Sequence, residues 1–205
     1  MFTGIVQELG TVTAVTRGRA VDRLTIQAPK TSAGLQVGES VAVNGVCLSV
    51  VRLRDGLLTF ETIPETRRLT TLGTLAAGHR VNLERSLSLS DRLNGHVVLG
   101  HVDGIGRVMQ CRRRAGEIAL EVQIDRSLRR FLVPKGPIAL DGVSLTVGAR
   151  VSPSSFSVFL IPETMRKTTL TARRAGERVN LEMDYFAKLL CSARALSPAG
   201  RGSVW

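Results

Sequence analysis

Asn44-Gly45-Val46-Cys47-Leu48-Ser49-Val50 returns 97 positions later as Asp141-Gly142-Val143-Ser144-Leu145-Thr146-Val147. The two stretches share a turn dipeptide, an apolar alternation and a hydroxyl at the sixth position. Three further pairs recur in the same order. Gly4-Ile5-Val6, followed by Leu9-Gly10-Thr11-Val12, matches Gly100-His101-Val102, followed by Ile105-Gly106-Arg107-Val108, at an offset of 96. IPETRRLTTL (63–72) matches IPETMRKTTL (161–170), and AGHRVNLE (77–84) matches AGERVNLE (175–182), both at 98. An offset that grows by single residues is what changes in loop length between two copies produce. The chain therefore reads as a tandem duplication joined in the polar stretch 85–95.

Each copy reads as β. In Ile118-Ala119-Leu120-Glu121-Val122-Gln123-Ile124 the apolar residues alternate, the period of a half-buried strand. Asn44-Gly45, Asp55-Gly56 and Asp141-Gly142 are hairpin dipeptides. Short strands with closely spaced turns predict a small closed barrel in each half, and closure removes exposed sheet edges. Helix is scarce. Residues 64–73 and 162–172 each have room for a short turn, and the tail from Asp184 to about Leu196 is the best candidate. There Phe186, Leu189, Leu190 and Ala193 share one helical face, Asp184 stands at the cap position and Pro198 follows the end. That stripe packs either on its own barrel or against the same helix of other subunits, and the sequence leaves both open.

Composition bounds the function. The chain has 205 residues, 43% apolar and 22% charged, enough apolar surface for packed cores. No apolar run is long enough to cross a bilayer, and Met1-Phe2-Thr3-Gly4 does not open a secretion signal, so no membrane role and a cytoplasmic location are expected. Cys47, Cys111 and Cys191 are widely spaced and lack a CxxC pattern, and His79, His96 and His101 form no metal-ligand motif; no metal site is expected. The net charge is +11, but the arginines are spread over the chain and aromatics are only 4%. A basic solvated surface is the reading, with no nucleic-acid function.

The start MFTGIV, the NGVCLSV and DGVSLTV pair, NGHVVLGHVDG (94–104) and the two IPET segments together resemble the riboflavin synthase family over residues 1–182. The resemblance implies an all-β fold: two tandem pseudo-symmetric six-stranded Greek-key barrels plus a C-terminal α-helix. The expected divisions are an N-terminal lumazine-binding barrel (1–97), a C-terminal one (98–184) and a trimerisation helix and tail (185–205). It implies a transferase that dismutates two molecules of 6,7-dimethyl-8-(1'-D-ribityl)lumazine. A four-carbon unit passes between them, giving riboflavin and 5-amino-6-(D-ribitylamino)uracil. It further implies no cofactor and a homotrimer whose active sites lie between the N-terminal barrel of one subunit and the C-terminal barrel of the next. Association with lumazine synthase is compatible with it. The alternative is a non-catalytic lumazine- or flavin-binding paralogue.

The resemblance also implies site residues. Cys47, His101 and Ser144 are the catalytic candidates, with His101 placed in the C-terminal pocket. A lone strand cysteine is otherwise a small buried residue, and a strand histidine or serine is otherwise structural. The copies differ at these places: Cys47 is matched by Ser144, Ile5 by His101, Asn44 by Asp141 and Ser49 by Thr146. Such differences let two sister pockets take unlike roles. Substrate contacts are expected from Gly4, Ile5, Val6, Cys47, Leu48 and Ser49, then from Glu61, Thr62, Ile63, Pro64, Glu65 and Thr66. The second copy supplies Gly100, His101, Val102, Ser144, Leu145 and Thr146, then Leu160, Ile161, Pro162, Glu163, Thr164 and Met165. Lys135, flanked by Pro134 and Pro137, is expected to reach ligand across a subunit boundary. The plain alternative for Glu65 and Glu163 is a capping carboxylate, and for Lys135 a surface lysine. His79, matched by Glu177, and His96 have weaker cases.

Overall fold

The computed structural model describes residues 1–114 and 116–196, with side chains described through residue 193. The expected Pro198 stop and the tail beyond residue 196 lie outside the described residues. Twelve strands form two closed barrels. The first contains β1 (Glu8–Thr16), β2 (Asp22–Gln27), β3 (Ser40–Val43), β4 (Val46–Arg54), β5 (Leu57–Thr62) and β6 (Arg80–Arg85). The second contains β7 (Gly104–Arg114), β8 (Glu117–Gln123), β9 (Pro137–Leu140), β10 (Val143–Val151), β11 (Ser155–Leu160) and β12 (Arg178–Met183). The spatial order β1-β2-β5-β4-β3-β6 is repeated by β7-β8-β11-β10-β9-β12, a Greek key in both halves. The all-β expectation holds.

Local chemistry explains the closure. Asn44 and Gly45 have φ of 45° and 77°, and Asp141 and Gly142 repeat this at 45° and 76°, the positive-φ pairs that a two-residue hairpin requires. Ladder register shifts past Val12, Val50 and Val108 mark bulges that coil the strands enough to close small barrels. Alternate residues point inward: Leu48 and Val50 fill one core and Leu145 and Val147 the other. Short helices follow the IPET starts, α2 (Pro64–Leu69) and α3 (Pro162–Lys167), after a four-residue α1 (Pro29–Ser32). Proline occupies the first turn of each, where its missing N–H has no partner to lose.

The two barrels meet about a pseudo-twofold axis. Phe2 and Val98 form a two-bond antiparallel bridge, with N···O distances of 2.7 and 3.1 Å. Asn82 Nδ2 donates to the Asp141 carbonyl at 2.9 Å, and Asn180 Nδ2 donates to the Asn44 carbonyl at 2.8 Å. Their side-chain oxygens accept from Thr169 N and Thr71 N at 2.8 and 2.7 Å. Each side-chain nitrogen and oxygen of these two buried amides thus finds a partner across the junction, as buried polar groups ordinarily do.

The final helix, α4 (Tyr185–Leu196), begins at Asp184, whose carboxylate accepts from Phe186 N and Ala187 N at 3.4 and 3.3 Å. Its inner face is Ala187, buried, and Lys188, which donates to Asp103 at 2.9 and 3.0 Å. Phe186, Leu189 and Leu190 are 57, 46 and 73% exposed, so the apolar stripe does not pack on its own barrel. No helix among the described residues is long and apolar enough to span a membrane.

Candidate functional site

The period of a strand decides what the repeated motif presents. On β4, Leu48 and Val50 enter the core, so Cys47 and Ser49 face outward; on β10, Ser144 and Thr146 do so opposite Leu145 and Val147. Cys47 and Ser144 are each half-buried, because a segment of the other half covers them. Cys47 N donates to the Gly100 carbonyl at 2.9 Å, and Ser144 N donates to the Gly4 carbonyl at 2.7 Å. Both glycines have φ of 78°, and a β-carbon on either would lie 2.6 Å from the β-carbon beneath it. Only glycine allows this approach.

The packing is therefore crossed. Gly4-Ile5-Val6 lies on the second barrel, where Val6 joins the core, and Gly100-His101-Val102 lies on the first, where Val102 packs against the core. The sequence groups His101 with Ser144 in one half; the structure instead brings its segment to Cys47. The physical reason is in the strand ends that hold the segments. Glu84, at the end of β6, accepts from Thr3 N at 2.7 Å, Thr3 Oγ1 at 2.6 Å and Gly4 N at 2.9 Å. Its sister Glu182, on β12, accepts from Leu99 N and Gly100 N at 2.7 and 3.0 Å. Burial raises both carboxyls above their ordinary range, Glu182 to about 7, against the opposing pull of these donors.

Ser144 has a partner in His96, one of the weaker candidates of the sequence. His96 Nδ1 lies 2.7 Å from Ser144 Oγ, and His96 N donates to the Thr3 carbonyl at 3.1 Å. Burial holds the His96 imidazole below its usual pKa, with the Asp184 carboxylate pulling the other way. A neutral imidazole against a hydroxyl can pass a proton in either direction. At the local offset of 96, position 96 has no counterpart among the residues of the repeat. Its signal was its place in Asn94-Gly95-His96, five residues before His101.

The remaining candidates differ in exposure and in partners. Ile5, Ser49, His101 and Thr146 are exposed beside the crossed segments. Leu48, Thr62, Val6, Leu145 and Leu160 are buried, so their side chains serve the barrels and their backbone alone faces outward. Ile63 and Ile161, 55 and 61% exposed, stand with Pro64 and Pro162 at the starts of α2 and α3. Glu61 pairs with Arg23 at 3.0 Å, Glu65 with Arg68 at 2.9 Å, and Glu163 with Arg166 and Lys167. Thr66 and Thr164 are half-buried, and Met165 packs against the second core. Lys135 is exposed at φ 62°, and its N–H donates to the Val147 carbonyl at 3.0 Å, which sets it beside the end of the Ser144-Leu145-Thr146 run. The sister position is Gly38, at φ 95°, with the equivalent bond to Val50 at 2.8 Å. A lysine kept where glycine is the relaxed choice is the kind of local strain that accumulates at working sites. His79 is exposed at a barrel rim, its Nδ1 accepting from Ala76 N. None of the three described cavities is lined by Cys47, His101 or Ser144, which lie on open barrel faces. Among the described residues no His, Cys, Asp or Glu group is arranged to hold a metal.

Comparison with known proteins gives the family and the fold. The sequence profile of the lumazine binding domain matches twice, over residues 3–86 and 99–184. A riboflavin synthase of Mycobacterium tuberculosis is 46% identical over 194 residues, covering 92% of this chain and 95% of that protein. One from Bacillus amyloliquefaciens is 38% identical over 190 residues, covering 93% and 88%. Solved structures of LumP with riboflavin and with 6,7-dimethyl-8-(1'-D-ribityl) lumazine share the fold, with TM-scores of 0.83 and 0.81, each at 24% identity and covering 89% of this chain and 99% of LumP. With its doubled domain, its two crossed strand-and-arm surfaces and relatives matched almost end to end, this chain belongs to the riboflavin synthase family.

Proposed function

We propose that this chain is a riboflavin synthase, dismutating two molecules of 6,7-dimethyl-8-ribityllumazine to riboflavin and 5-amino-6-(D-ribitylamino)uracil. One observation carries the reading. Two sister surfaces present unlike reactive groups at equivalent points: Cys47 under the arm that bears His101, and Ser144, bonded to His96, under the arm that bears Ile5. One substrate used twice in different roles calls for this combination of likeness and difference. A lumazine on each surface, ring against ring, removes the entropy of bringing two reactants together, worth roughly 7–11 kcal/mol of barrier.

The chemistry begins at the lumazine C7 methyl, which is acidic because its anion spreads through the ring. On one surface Ser144 and His96 form a relay that accepts a proton. On the other, Cys47 acts as a polar or nucleophilic group near the reacting carbon, with His101 assisting a proton or a ring-bound water. Backbone groups of 4–6 and 100–102 meet the ring edges, the segments that open α2 and α3 line the ribityl chain, and Lys135 reaches ligand on a neighbouring subunit. The uncovered stripe of α4 joins a homotrimer, in which the N-terminal barrel of one subunit faces the C-terminal barrel of the next. The enzyme is read as cytoplasmic, and co-purification tests its association with lumazine synthase.

The test is incubation of the purified protein with the lumazine and nothing else, followed by flavin fluorescence. The expected result is one riboflavin formed per two lumazines consumed. A tight one-to-one flavin complex without turnover overturns the proposal in favour of the binding paralogue.

A further inference from the structure

Between the barrels, away from Cys47, His101 and Ser144, lies a groove of about 870 Å³, with His79 on its lining. Three buried side-chain atoms meet no hydrogen-bond partner among the described residues: Thr71 Oγ1, Thr169 Oγ1 and Arg173 Nε. All three residues line this groove. Thr71 is only 7% exposed, and its N–H is fixed on Asn180, as that of Thr169 is on Asn82. Buried polar groups are ordinarily satisfied, so three such orphans among the residues lining one groove single it out.

The charge agrees with the orphans. Arg80, Arg113, Arg173 and Arg178 line the groove against a single carboxylate, Glu177. Arg80, Arg113 and Arg178 form no ion pair among the described residues, while Arg173 places Nη2 on buried Asp141 at 2.7 Å and Nη1 3.9 Å from Glu177, with its Nε unpartnered. Arg80 and Arg178 are sister residues, so they bring charge from both sides of the pseudo-twofold axis. Guanidinium forks and hydroxyl donors together match the oxygens of phosphate, and several of them match more than one phosphate. The volume is that of a small-molecule site.

We infer that the inter-barrel groove binds a multivalent phosphate group, either free diphosphate or the diphosphate of a small molecule. The site is separate from the lumazine surfaces and does not depend on the reading of them. It also gives a use to four of the arginines that leave the chain so basic.

Calorimetric titration of the full chain with pyrophosphate, at an ionic strength held constant with sodium chloride, tests this. The expected result is saturable binding of one pyrophosphate per chain, weakened about tenfold or more in Arg80→Gln/Arg178→Gln, a change of about 1.4 kcal/mol or more. Thr71→Val keeps the shape and the backbone bond, and it is expected to weaken binding several-fold. A parallel titration with ADP distinguishes the sources: equal affinity assigns free diphosphate, and tighter binding of ADP assigns a diphosphate-bearing small molecule. Absence of saturable heat overturns the inference, as does equal binding by the double variant. A Thr71→Val protein that melts higher and binds pyrophosphate unchanged also overturns it.

Discussion

Alanine at position 100 puts a β-carbon where the crossed packing has no room. The atom would lie 2.6 Å from Cys47 Cβ, 2.8 Å from Cys47 N and 3.0 Å from Cys47 Cα. Two of these contacts are backbone, and β4 is held in register there with β3, Cys47 opposite Ala42, so it resists withdrawal. The arm has to lift instead. Lifting breaks the Gly100 carbonyl bond to Cys47 N and strains the two bonds to Glu182. A positive φ costs a non-glycine residue about 1–2 kcal/mol, and overpacking a rigid site adds about 1–3 kcal/mol. The expected destabilisation is therefore roughly 2–5 kcal/mol, measured by urea unfolding. Gly34→Ala is the control: it has φ of 71° with nothing within 4 Å of the new atom, so it carries the conformational cost alone. In the folded fraction, riboflavin formation by Gly100→Ala should fall well beyond the loss in Gly34→Ala, because His101 moves with the arm. Equal stability and equal turnover in the two variants refute the crossed arrangement as the frame of the site.

Cys47→Ser, His101→Gln and His96→Gln are each expected to lower turnover by about a hundredfold, within the span of acid–base catalysis, while circular dichroism stays native. Wild-type rates in these variants remove them from the chemistry. Glu182 has a folded pKa of about 7, above the unfolded value near 4.5, so its contribution to stability is complete below about pH 4.5 and is lost as pH rises through 7. The loss amounts to about 3 kcal/mol, and the difference between wild type and Glu182→Gln, followed by urea unfolding from pH 4.5 to 8, isolates it. A difference that does not change with pH contradicts the raised pKa. Leu190→Asp, on the open face of α4, is expected to shift sedimentation from trimer towards monomer and to lower activity without unfolding the barrels; an unchanged trimer shows that this face is not the contact.

Much of the fold was legible because repetition is a one-dimensional signal. The NGVCLSV and DGVSLTV pair marks β4 and β10, and Asn44-Gly45 and Asp141-Gly142 adopt the positive φ values that their chemistry favours. The helical period of the tail correctly grouped Phe186, Leu189 and Leu190. A period cannot say which face is bound, and here Ala187 and Lys188 are the anchors. The crossing of the arms was not legible. Val6 and Val102 look alike in the alignment, and nothing local tells a residue that it enters the other barrel's core. His96 escaped for a different reason: a comparison between halves is blind where one half has no counterpart. Lys135 carries a signal within the repeat, since its sister is Gly38 and a lysine at a positive-φ turn position keeps its side chain at a conformational cost.

The exchange of arms also bears on origins. A lone half-length chain would leave its own Cys47-type strand bare and its arm extended, with nothing to lie on. Two such chains would satisfy both by trading arms about a twofold axis, as domain-swapped dimers do. Gene fusion would then preserve the trade and free each arm and strand to mutate apart, so that sister surfaces in a single polypeptide come to carry unlike side chains.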